Sequence, residues 1–181
     1  MIKKAHLRHI REALPFAGIL IAGMLIFLVD FYELTQPFTR EVILTLVSLT
    51  KSIWFVRFVV LRIRMTTERE FYFHEFMAFI GASIVLFILS FAIDFYCLYE
   101  IRPDAFSGIS PDGSWINHFI TFAYFSITNF TTTGMGDIVP QTTSARIFIS
   151  AELVISFFFT IFIIANLSML RESYARKNLK I

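Results

Sequence analysis

The run Thr131-Thr132-Thr133-Gly134-Met135-Gly136-Asp137-Ile138-Val139-Pro140 decides how the rest of the chain is read. Taken alone, Gly-Met-Gly-Asp is a tight turn, and an isolated Gly-x-Gly carries little weight. Its neighbours change that. Upstream, Trp115 to Phe130 is aromatic and moderately apolar, yet too short and too rich in Thr, Ser and Asn for a comfortable crossing of a membrane. Downstream, 146–169 is long and apolar enough to cross. The order predicts a half-helix that dips into the membrane and returns, shielded by protein, before a full span begins.

Composition points the same way. The 181 residues are 56% hydrophobic and 17% charged, with a mean hydropathy of +0.69, against about a quarter charged in soluble chains. A soluble enzyme is excluded on that ground, and no enzymatic activity is expected. The net charge of +2 comes from short clusters at the ends of apolar runs, not from a basic patch, so no nucleic-acid partner is expected. A single cysteine, Cys97, allows no intrachain disulfide and reads as a small buried hydrophobe.

Four apolar runs are long enough to span: 14–32, 42–61, 71–98 and 146–169. The predicted fold is an all-α membrane protein with four transmembrane helices plus a re-entrant pore helix and filter loop. Eleven basic residues fall on one side: Lys3, Lys4, Arg8 and Arg11, then Arg62, Arg64 and Arg69, then Arg171, Arg176, Lys177 and Lys180. Arg40 and Arg102 fall in the opposite loops. The distribution predicts a multi-pass protein of the cell membrane with both termini cytoplasmic. If 115–130 crossed fully, the last basic cluster would land outside, so the charge parity favours re-entry. Asp30 and Phe31 stand where a signal-peptide cleavage site needs small residues, so the first run reads as retained. The expected organisation is residues 1–70, an N-terminal segment with two peripheral helices; 71–170, a pore domain; and 171–181, a short tail. Residues 103–114, rich in Pro, Gly, Ser and Asp, read as an exposed outer loop.

Ser126-Ile127-Thr128, the Thr run, Gly-x-Gly-Asp and the following Pro resemble the pore signature of tetrameric potassium channels, whose filter reads Thr-Val-Gly-Tyr-Gly. The last span, with Ala145-Arg146, Ala151-Glu152-Leu153 and Ala165-Asn166-Leu167, is similar to the inner helix of small prokaryotic two-transmembrane ion channels. The resemblance covers 115–168 and implies a homotetramer in a lipid bilayer, with permeant K+ as the only ligand and no cofactor. It implies that Thr132, Thr133, Gly134, Met135 and Gly136 bind the ion, with metal contacts from the Thr132 hydroxyl and the carbonyls of Thr133, Gly134 and Met135. Asp137, Thr131 and Thr128 would support the filter and its outer mouth. Phe157, Thr160, Ile164 and Ser168 share one helical stripe and would line a cavity, with Glu152 off that stripe. Physically, a dehydrated potassium ion needs a shell of oxygens at nearly equal energy, which four converging backbone strands supply and one strand cannot. Gly134 and Gly136 admit positive φ. Met135 stands where the family has Tyr or Phe, and a flexible thioether should restrain a filter less than a ring.

The remaining intramembrane charges are functional candidates because each is costly unless paired or wet. Lys51 and Arg62 nearly coincide around the second span, as do Arg57 and Arg64, and the two pairs lie about 120° apart. A voltage sensor wants one stripe, so Arg57 is read instead as a structural partner of Glu75 and Arg62 and Arg64 as interfacial anchors. Glu152 reads as a carboxylate turned away from the pore and bonded behind the filter. Asp94 and Asp30 read as interfacial. Asp137 either concentrates cations or accepts hydrogen bonds from the pore helix. Thr67 with Glu70 forms a capping box for the third helix.

Competing classes are weaker. A haem protein needs paired histidines at one depth; His6 and His9 flank the first span, while His74 and His118 sit at opposite faces. A transporter wants broken spans and an internal repeat. A non-conducting accessory subunit leaves the Gly-Met-Gly loop unexplained. A weakly selective cation channel of the same fold remains as the alternative. The tail after Leu170 offers no ligand-binding domain, and no soluble partner is evident.

Overall fold

The computed structural model describes residues 37–67 and 73–178. The first apolar run, Asp30, His6 and His9 lie outside the described residues. Helix α1 is Pro37–Thr67, α2 is Phe73–Ile101, α3 is Trp115–Phe130 and α4 is Thr143–Asn178. Three of these are long and apolar enough to cross a membrane, over Thr39–Leu61, Met77–Ile101 and Thr143–Ala165. Pro37 opens α1, where the missing N–H costs nothing and φ is already set for a helix. Thr67 is the last described residue of α1, and the capping box it was read to form with Glu70 lies outside the described residues.

The ends of the helices fix the path of the chain. Glu41, in the first turns of α1, accepts from Arg102 just past α2 at 3.5 Å and from Ser144 at the start of α4. The start of α1, the end of α2 and the start of α4 therefore share one end of the bundle. Residues 102–142 leave that end and return to it without crossing, as charge parity predicted. Ser114 caps α3 through the Asn117 N–H at 3.4 Å, and Thr142 caps α4 through the Ala145 N–H at 3.3 Å, each satisfying a first-turn donor.

The half-helix α3 is seated by aromatic packing. Phe125 meets Phe95 edge-on at 5.2 Å, and Phe122 packs on Tyr99 at 5.6 Å. Phe87 of α2 lies 5.7 Å from Phe130 and 6.5 Å from Phe159, so α2, α3 and α4 meet around one ring. Such pairs add ~0.5–1.5 kcal/mol each beyond their area. The 103–114 loop is less exposed than its composition suggests. A 3₁₀ turn, Pro103–Ala105, leads into a two-residue strand β1, Phe106–Ser107, which pairs antiparallel with β2, Val139–Pro140. Ala105 and Phe106 are buried, because Phe106 fills the space between Phe95, Phe122 and Phe125. Turn formers determine the rest of the loop, but one aromatic among them inverts its beginning.

Asp94 is not interfacial. It is fully buried and accepts from Lys51 Nζ at 2.7 and 2.8 Å and from Ser48 Oγ at 2.5 Å. The Lys51 ammonium also reaches the Ser90 carbonyl at 3.4 Å. This buried pair fastens α1 to α2 and gives Lys51 a structural position. Arg57, by contrast, has an exposed side chain, and that of Glu75 lies outside the described residues. Cys97 is buried.

Removing one member of a buried pair strands the other charge, at a cost of ~3–5 kcal/mol, while replacing both by apolar residues is near neutral. Lys51→Met and Asp94→Leu should each sharply lower the thermal midpoint in detergent, and the double variant should recover most of the loss. Additive losses in the double variant would contradict this coupling.

Candidate functional site: a helix-capped loop with alternating backbone

Residues 131–137 follow directly from the C-terminus of α3, and their amide groups are spoken for. Thr131 N donates to Ile127 O at 3.0 Å, Thr132 N to Asn129 O at 2.9 Å, and Thr133 N and Gly134 N to Thr128 O at 2.8 and 3.2 Å. These carbonyls are the ones a helix end leaves without partners. Every peptide bond here is trans, and in a trans peptide the C=O points opposite to the N–H across the same plane. With the N–H groups of Thr133 and Gly134 aimed at α3, the carbonyls of Thr132 and Thr133 point away from it.

The dihedrals carry the pattern forward. φ is positive at Thr132 (57°), Gly134 (53°) and Gly136 (77°), and not at Thr133 or Met135. An ordinary strand turns successive carbonyls to opposite sides; alternation of φ sign counteracts that reversal. Glycine supplies the sign freely at two of the three positions. Thr132 does not, because a β-branched residue at positive φ is an outlier, and strain of this kind gathers at functional sites. A Cβ at Gly134 or Gly136 would meet nothing within 4 Å in a single chain. Their requirement within the chain is therefore the dihedral, not lack of room.

The supporting side chains lie behind and below. Thr128 is buried and donates to Phe125 O at 2.8 Å. Thr131 Oγ1 bonds Ile127 O at 2.8 Å and Thr133 Oγ1 at 2.9 Å, and the Thr132 hydroxyl bonds Thr131 O at 2.7 Å. Asp137 holds the Ile138 N–H at 3.1 Å. Its carboxylate also faces Tyr124 of α3. In the first turn of α3, His118 donates from Nε2 to Ser110 O at 3.0 Å and packs edge-on to Tyr99.

The whole loop 131–137 is exposed in the single chain, with Met135 63% exposed. Phe125 packs on Phe95 of α2 and Phe106 of β1, away from Met135 in the chain's own core. On α4, Phe157, Thr160 and Ile164 share an exposed stripe, whereas Ala145, Phe148, Glu152, Ser156 and Phe159 are buried against the rest of the chain. The Ser168 side chain lies outside the described residues. On α3, Ile116, Ile120 and Ile127 form a second exposed apolar stripe.

Sequence reasoning missed one functional contact. Gly108, at φ +90°, lies so close to the carbonyl of Asp137 that a Cβ there would sit 1.9 Å from its oxygen. The outer loop is clamped onto the exit of residues 131–137. The only signal was a Gly two residues past Phe106, indistinguishable from any turn glycine.

A short helix whose end ties down the N–H groups of a glycine-punctuated return, beside a spanning helix, defines an ion-channel pore module. Residues 83–172 match the ion channel family. Over 81 residues the chain is 38% identical to the potassium channel protein kcv of Paramecium bursaria Chlorella virus 1, covering 41% of this chain and 79% of that one. The chain belongs to the ion channel family, among the small potassium-channel pores, and is a membrane protein.

Gly108→Ala should cost at least ~1–2 kcal/mol in left-handed strain, besides displacing Asp137. Gly81→Ala in α2, whose Cβ would meet nothing within 4 Å, should be neutral or stabilising by up to ~1 kcal/mol. Thermal unfolding of both variants in detergent checks the contrast; equal effects would contradict the clamp.

Proposed function

We propose that four copies of this chain surround one axis and conduct potassium ions passively, with residues 132–136 as the selectivity filter. The alternating φ over Thr132 to Gly136, with the amides turned to α3, carries the reading: it frees carbonyls on one side of the loop as cation ligands. One loop cannot encircle an ion, and a closed ring of identical copies can. The exposed stripes on α3 and α4 supply apolar surface for those neighbours, and Phe157, Thr160, Ile164 and Ser168 line the cavity below the filter. The C-terminal end of α3 adds a partial negative charge at the base of the loop, which favours a cation there. The name of the viral relative, a potassium channel protein, supports the choice of ion. The distribution of the basic residues supports termini on the cytoplasmic face of the cell membrane.

Purified protein in planar bilayers under opposing potassium and sodium gradients should give a reversal potential close to that of potassium. Native mass measurement in mild detergent should give four times 21.0 kDa. A reversal potential near zero would replace potassium selectivity with weakly selective cation conduction, and a conducting monomer would overturn the assembly.

That alternative is favoured by one observation, the exposure of Met135 in place of a packed ring. Met135→Tyr should leave potassium current in place and raise the preference over sodium by up to roughly tenfold, the equivalent of ~1.4 kcal/mol. Identical ratios in the two proteins would dismiss a loosening role for Met135.

A further inference from the structure

Glu152 lies in α4, is fully buried, and makes no ion pair among the described residues. Its Oε1 is 2.5 Å from Ser126 Oγ on α3. Ser126 Oγ is also 3.0 Å from the carbonyl oxygen of Ile88 on α2. A serine hydroxyl has one proton to donate. The Ile88 carbonyl oxygen has none, so that contact takes the Ser126 proton. The shorter contact then needs its proton from Glu152.

The surroundings agree. An ionised carboxylate in such a place requires a cation or several donors. The neighbouring charge is Asp94, which the Lys51 ammonium already compensates at 2.7 Å. From α3, only Ser126 and Asn129 face the Glu152 carboxyl. Asn129 Nδ2 and Glu152 Oε2 are both buried and lack hydrogen-bond partners. One is a donor and the other an acceptor, and the Asn129 side chain is among those that act on the Glu152 carboxyl. Asn129 also provides the carbonyl that holds Thr132 N–H at 2.9 Å, and Thr132 is where the strained alternation begins.

We propose that Glu152 is held as a neutral carboxylic acid, donating to Ser126 and facing Asn129, and that this clip is the positioning contact that seats α3, and with it the filter, against the inner helix. The acid proton lies on Glu152 Oε1 and is donated to Ser126 Oγ, the Ser126 hydroxyl donates its own proton to the Ile88 carbonyl, and the Glu152 Oε2 lone pairs face the Asn129 amide. The filter half of this inference rests on the function proposed above; the protonation half does not.

Infrared difference spectroscopy separates the two. Wild-type protein at neutral pH should show a carboxylic acid carbonyl stretch that vanishes in Glu152→Gln. Ser126→Ala should move that band to higher frequency, because the acid loses its acceptor. A missing band in the wild type, or one unmoved by Ser126→Ala, overturns the neutral acid. For positioning, the readout is the potassium-to-sodium permeability ratio. Glu152→Gln keeps a donor and an acceptor in the same shape and should stay within about twofold of wild type. Ser126→Ala, which only trims a hydroxyl, should lower the ratio on the order of 3- to 10-fold, the worth of one buried hydrogen bond. An unchanged ratio in Ser126→Ala overturns the positioning role. Should the wild type show the band but pass no potassium, the function proposed above fails while the acid assignment stands.

Discussion

Everything distinctive in this chain depends on the way the C-terminus of α3 ends. A helix leaves its last carbonyls without partners, and in a membrane no water is at hand to satisfy them. Here Ile127, Thr128 and Asn129 give theirs to the amides of Thr131 to Gly134. That exchange satisfies the helix and orients the loop at once. Because peptide planes are rigid, fixing the donors on one side fixes acceptors on the other. The site is thus a by-product of completing a helix, and its precision is inherited from the seating of α3.

The seating is layered. Aromatic rings from α2 and β1 hold α3 from behind, and Ser126 meets Glu152 of α4 from below. Asp137 reaches back to Tyr124 while Gly108 presses on its carbonyl from the outer side. Helix α1 supports this layer from the far side: its Phe55 packs on Phe87 at 5.7 Å, and its Lys51 compensates Asp94 on α2. Lys51, Asp94 and Glu41 find their partners across helices, while the hydroxyls of Thr45, Ser83, Ser156 and Thr160 return to a carbonyl four residues back on their own helix, as expected where an unpaired polar group is costly.

Much of this was legible in the residues. Span lengths and charge parity gave the helices and the re-entrant path, because both are consequences of bilayer thickness and insertion. Glycine's freedom admitted the positive φ found at Gly134 and Gly136, and the resemblance to a filter made it the expectation. The partners of buried charges did not. Asp94 sits near the end of an apolar run and looks interfacial on hydropathy; its pairing with Lys51 depends on the rotation of two helices about their axes, which periodicity fixes only loosely. Phe106 was hidden among turn formers because its burial is created by rings far away in sequence. Positive φ at Thr132 was illegible, since nothing in threonine announces it; the neighbouring hydrogen bonds impose it.

The short ladder between β1 and β2 has a topological meaning. Pairing Phe106 with Pro140 and Ser107 with Val139 ties off residues 108–138 as a closed lobe hung from two antiparallel anchors. Closure entropy rises only logarithmically, ~0.6 kcal/mol for each doubling of loop length. Extra residues spliced among the exposed positions Pro111 and Asp112 therefore change the cost of the lobe little, whereas a single insertion at Phe106 or Pro140 shifts the knot itself. The outer rim can be lengthened, tagged or diversified, while the two strand residues on either side set a register that admits no slack.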